Sequence, residues 1–101
     1  MTPTQFCFRL VTVANDRWLT DSDLAVWFQR PRPTIRTWVE RHYSPRPGSM
    51  FNELVRRLEL LEASEAFPVP YGIKRDGRRP YIEQAFANAN STRVPASDPA
   101  R

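Results

Sequence analysis

The chain has 101 residues and a net charge of +4, enough length for one domain with a modest core that needs neither metal nor disulfide. Its single cysteine, Cys7, excludes an internal disulfide and an all-cysteine metal site. No apolar run approaches a membrane span and the N-terminus lacks a basic-then-apolar signal pattern, so a reducing cytoplasm is the expected location.

Thr2-Pro3-Thr4-Gln5 has the form of a capping box with proline in the first turn, and Phe6, Leu10 and Val13 then recur at helical spacing. The run FCFRLVTV is also rich in β-branched and aromatic residues and suits a short strand. Asn15-Asp16-Arg17 reads as a turn, with Trp18 and Leu19 expected to pack under the segment that follows.

Residues 19–42 organise the chain. The Thr20 hydroxyl is placed to cap a helix whose first turn carries Asp21 and Asp23, where the helix dipole favours negative charge. Leu24, Ala25, Trp27 and Phe28 give that helix one apolar face. Gln29-Arg30-Pro31-Arg32-Pro33 breaks it, because proline removes a backbone donor and biases the preceding residue out of the helical region. A second helix restarts at Pro33 or Thr34, with Ile35, Trp38 and Val39 on its inner face. Arg32, Arg36, Thr37, Glu40 and Arg41 are left outside.

These residues resemble the helix-turn-helix of bacterial and phage DNA-binding proteins. Leu24 and Ala25 match its apolar-then-small pair, Phe28, Ile35 and Trp38 match further core positions, and PTIRTWVER looks like a recognition helix of the repressor or excisionase type. Gln29 stands where that family usually has a turn glycine and Arg30 where it has an apolar residue, so the two prolines are expected to shape the turn. The resemblance implies a third helix to complete the core, which favours helix over strand for residues 4–14.

Tyr43 to Gly48 is a loop, after which Ser49 is placed to cap a longer helix at about 50–66. Met50, Phe51, Leu54, Val55, Leu58 and Leu61 form its stripe, and Glu53 can pair with Arg56 and Arg57. Leu60 falls off the stripe, at an edge where a second copy could pack. Phe67-Pro68-Val69-Pro70 ends the helix. YGIKRDGRRPYI then reads as a small hairpin turning at Asp76-Gly77, with Pro80 confining its second strand to an edge and Lys74, Arg75, Arg78 and Arg79 at its tip. Residues 88–101 hold few large apolar groups and are expected to be a disordered tail, leaving 1–87 as the folded domain. The expected fold is therefore mainly α: a helix-turn-helix three-helix core, a longer C-terminal helix and a small basic, wing-like β-hairpin.

Charge is unevenly spread. Residues 30–58 hold seven arginines against two glutamates, and residues 74–79 hold four basic groups against one aspartate, a pattern that suits a polyanion partner. Chemistry is poorly provided for. The one histidine, His42, and Cys7 sit on segments with no evident reason to meet, and three glycines form no phosphate-cradling loop. An enzyme, a metal site and a cofactor are thus not expected. His42, at a helix end, suits a dipole or phosphate contact, and Cys7 a small core position.

The expected function is sequence-specific binding of double-stranded DNA, by a protein of the phage or mobile-element kind that acts as repressor, excisionase or packaging (terminase small subunit) factor. A helix of this size fits the major groove, where arginine donates two hydrogen bonds to guanine. Arg32, Arg36 and Thr37 are candidates for bases, Thr34 for a phosphate at the helix end. Arg41, His42 and Arg46 suit phosphates, and Lys74, Arg75, Arg78 and Arg79 a wing on the backbone or minor groove. A homodimer would supply paired half-sites. The alternative is an interaction module docking an acidic partner; buried Trp27 and Trp38 would favour DNA, exposed ones the partner.

Overall fold

A computed structural model describes residues 1–40 and 44–93, with only the backbone of Thr92 and Arg93. Five helices run through these residues: α1 (Pro3–Asp16), α2 (Asp21–Phe28), α3 (Arg32–Val39), α4 (Ser49–Ala63) and α5 (Arg75–Arg93). Among them there is no strand.

The first two starts follow their local chemistry. In α1 the Thr2 hydroxyl accepts from the Gln5 N–H at 3.1 Å while the Gln5 side chain accepts from the Thr2 N–H at 2.8 Å. In α2 the same reciprocal box joins Thr20 and Asp23. The helix expected over residues 4–14 is thus α1, not a strand. The cap expected from Ser49 is not made: Gly48 precedes α4 with no side-chain bond to its first turn.

The turn between α2 and α3 is a left-handed cap. Gln29 sits at φ 55°, ψ 49°, and the Arg30 N–H reaches back to the Ala25 carbonyl at 3.1 Å. Gln29 therefore adopts the backbone that a turn glycine would, and the prolines complete the turn instead of making it. Pro31 precedes α3, and Pro33 lies in its first turn, where no N–H is needed.

α2 is the centre of the fold, packing on α3, α4 and α5, while α1 packs on α3 and α4. Its neighbours Phe28 and Trp27 serve two aromatic clusters. Phe28 meets Phe6 and Trp38 edge-on, and Phe6 also meets Phe51. Trp27 meets Phe67 and Phe86 edge-on, and Phe67 meets Tyr81. Such pairs add about 0.5–1.5 kcal/mol each beyond the area they bury. Cys7 is a buried core residue.

The hairpin expected over residues 71–82 does not exist: α5 occupies its place. Asp76-Gly77 lies in the first turn of a helix, where aspartate is favoured by the dipole. The periodic set Ile82, Ala85, Phe86 and Ala89 then carries the burial. Gly77 and Pro80 weaken this helix locally, but its inner face covers Trp27, and tertiary burial outweighs propensity. α5 also continues through Arg93, past the expected end of the domain at residue 87, while residues 94–101 of the expected tail lie outside the described residues.

Three smaller expectations are corrected. Leu60 is 2% exposed, because α4 is covered by α5 as well as α1 and buries two faces; its edge is not open to a second copy. Met50, placed on the stripe, is 66% exposed in the first turn of α4. Trp18, expected beneath the motif, is 78% exposed, while Leu19 packs against the core.

Candidate nucleic-acid interface

α3 is held by its apolar side. Ile35 is fully buried and Trp38 nearly so, which leaves Arg32, Pro33, Arg36 and Glu40 on the outer face with Thr37 half-buried between them; together these five line one shallow depression. With its side chains such a helix is about 10–12 Å across, close to the width of the DNA major groove.

The arginines divide into two kinds. Arg57 is built into the interior: it donates to the Trp27 carbonyl at 2.9 Å, accepts the Trp27 indole N–H on its own carbonyl at 2.8 Å, and stacks 4.3 Å from the Phe86 ring. Arg56 bonds Asn90 of α5 at 2.7 Å, and both arginines hold Glu53. The Arg56 hydrogen bond, against the cost of burial, keeps the Glu53 carboxyl below the usual range. Arg17 closes the C-terminus of α4 through the carbonyls of Glu62 and Ser64, and Arg9 pairs with Glu62. Arg78, expected at a hairpin tip, grips both carboxylate oxygens of Asp23, with its Nε at 3.0 Å from Oδ1. Burial pushes that carboxyl up, but Arg78 and the Thr20 cap outweigh it and hold it below its ordinary value.

The second kind is exposed and lightly held. Arg36 reaches Asp21 at 3.3 Å and stays 57% exposed. The side chains of Arg32, Arg46, Lys74 and Arg75 have no hydrogen bond or ion pair among the described residues. Among the described residues Arg79 pairs with Glu83, one turn on, at 3.3 Å. The Thr37 hydroxyl donates to the Thr34 carbonyl at 2.7 Å, leaving its oxygen able to accept. The structure thus brings Arg32, Thr34, Arg36 and Thr37 together on α3. Arg46 stands in the loop before α4, and Lys74, Arg75 and Arg79 group at the start of α5. Arg41 and His42 lie outside the described residues.

The basic cluster over residues 30–58 includes Arg56 and Arg57, whose three- and four-residue spacing from Glu53 marks them as part of the scaffold. Nothing in the sequence signals that Arg78 meets Asp23, a contact between residues 55 positions apart.

Among the described residues no group of three histidine, cysteine or acidic side chains is placed to hold a metal, and no helix is long and apolar enough to cross a membrane. No protein-family model matches the chain, and neither a curated protein nor a solved structure is significantly similar to it.

Proposed function

We propose that this chain is a helix-turn-helix protein that binds double-stranded DNA sequence-specifically, with α2 and α3 as the motif and α1 as its third core helix. The observation that carries this is the division among the arginines. Those that stabilise the fold are tied to carboxylates and carbonyls, while the face of α3 keeps Arg32 without a described partner and Arg36 in a single surface pair. An exposed pair is worth only about 0–1 kcal/mol, so Arg36 can exchange Asp21 for a guanine edge at little cost. Buried Trp27 and Trp38 support the same function, because they serve as core and not as anchors for a partner.

In this account Arg32 and Arg36 read bases, with the Thr37 oxygen beside them. The Thr34 N–H at the start of α3 and Arg46 take phosphates. One helix of eight residues spans few base pairs, so a second copy on a paired half-site supplies the rest of the specificity. Roles as repressor, excisionase or packaging factor all fit such a binder.

The test is binding to random-sequence duplex DNA across a salt series, with Arg36→Ala beside the parent. Affinity that falls steeply with salt and is weaker in the variant supports the proposal. A folded protein that ignores duplex DNA at low salt refutes it.

A further inference from the structure

Trp18 is unexplained by the core or by the α3 face. It follows α1 at φ 55°, the left-handed region, with the Leu19 N–H bonded to the Ala14 carbonyl at 2.9 Å. Glycine takes that backbone freely, whereas a bulky residue there is strained, and here the ring is also left in solvent. The backbone at Trp18 caps α1 as Gln29 caps α2, but a polar residue or glycine would serve there with less strain, and the exposed ring adds nothing to the core, which points to another use.

That ring lines a groove whose other walls come from the segment between α4 and α5: Pro68, Val69, Pro70 and Tyr71, with Ile73 and Arg78 completing it. Tyr71 is fully exposed. Arg75 opens α5 one turn before Arg78, on the side of the helix that Arg78 turns to the groove, and Lys74 immediately precedes it; neither side chain has a hydrogen bond or ion pair among the described residues. The groove therefore offers apolar walls, two aromatic rings and unmatched positive charge at one edge.

We infer that this groove is a docking site for an acidic peptide segment of another protein, one that seats an aromatic or aliphatic side chain against Trp18 and Tyr71 and sets its carboxylates on Lys74 and Arg75. Proline, valine and isoleucine walls fit an apolar side chain better than the flat face of a base, and the flanking cations select acidic neighbours. The site is separate from the α3 face, so either can fail without the other.

The experiment titrates the full-length, isotope-labelled protein with short synthetic peptides that carry one central Phe or Leu flanked by aspartates, by serines or by lysines. Trp18→Gly suits the local backbone and keeps the fold, and Arg75→Glu reverses the edge charge on the surface. The expected result is saturable shifts of the Trp18 indole N–H and of the Tyr71 and Ile73 amides with the aspartate peptides, the amides serving as the readout in Trp18→Gly. Binding should be weakened by salt and at least about tenfold weaker in either variant, while Trp18→Gly leaves DNA binding unchanged. Equal binding of the lysine peptides, an absence of shifts with the aspartate peptides, or a response to single-stranded oligonucleotides alone overturns the inference.

Discussion

Replacing Arg78 by alanine tests the packing of α5 most sharply. Asp23 is 4% exposed, and Arg78 supplies its bidentate counter-charge across the α2–α5 contact. Breaking one side of a buried pair costs about 3–5 kcal/mol, because the remaining charge stays desolvated. Asp23 keeps its bond from the Thr20 N–H at 2.9 Å, and Arg78 is itself 30% exposed, so water can partly replace it. The lower end, about 3 kcal/mol, is therefore expected, a large share of the 5–15 kcal/mol typical of a domain. Urea unfolding followed by circular dichroism measures it. The pH dependence has a definite sign. Asp23 is held below its ordinary value when folded, so its contribution is complete above the unfolded aspartate value of about 3.9. That contribution is lost as pH falls through the lower folded value, and Arg78→Ala, which lets burial push the carboxyl back up, should lose less stability on acidification than the parent. Pairing Asp23→Asn with Arg78→Leu should recover part of the stability. A cost of Arg78→Ala below about 0.5 kcal/mol would refute the packing, since that is what a solvent-exposed arginine gives.

How far the sequence could be read shows at the same place. α2 and α3 are legible from local chemistry, a capping threonine, a first-turn proline and an apolar period, and α4 from its apolar stripe alone; α1 carries a capping box, but its β-branched run leaves a strand open until a third core helix is required. α5 is not legible in this way, because its first turn contains Asp76-Gly77 and Pro80, residues whose local preferences favour a turn and disfavour a helix. Its helical period was present in Ile82, Ala85, Phe86 and Ala89, but only burial against Trp27 makes that period decisive. Leu60 was misplaced for a related reason, since one stripe was assumed for a helix that is covered on two sides. For the candidate site, the exposed positions Arg32 and Arg36 followed directly from the placement of Ile35 and Trp38. The capture of Arg78 by Asp23 and the outward turn of Trp18 depend on tertiary contacts and on one left-handed backbone angle, neither of which leaves a pattern in sequence.

Other substitutions have equally definite outcomes. Gln29→Gly should stabilise the protein by about 0.5–1 kcal/mol in thermal unfolding, because relief at φ 55° exceeds the added freedom of the unfolded chain; a loss of stability would contradict the left-handed cap. Leu60→Ala should cost about 2–4 kcal/mol in denaturant, whereas a residue at an open helix edge would change stability by less than about 0.5. Asp21→Asn releases Arg36 and removes a negative charge beside it, so duplex affinity measured by fluorescence anisotropy should rise by up to about fivefold; unchanged or weaker binding would mean that Arg36 only solvates its helix.

The most direct test of DNA recognition is a residue-resolved NMR titration of the full chain with a duplex. The account predicts saturable shifts at Arg32, Thr34, Arg36, Thr37 and Arg46, with Trp27 and Trp38 little affected and Trp18 silent. Shifts that gather instead around Trp18 and Tyr71 and bypass α3 would contradict it.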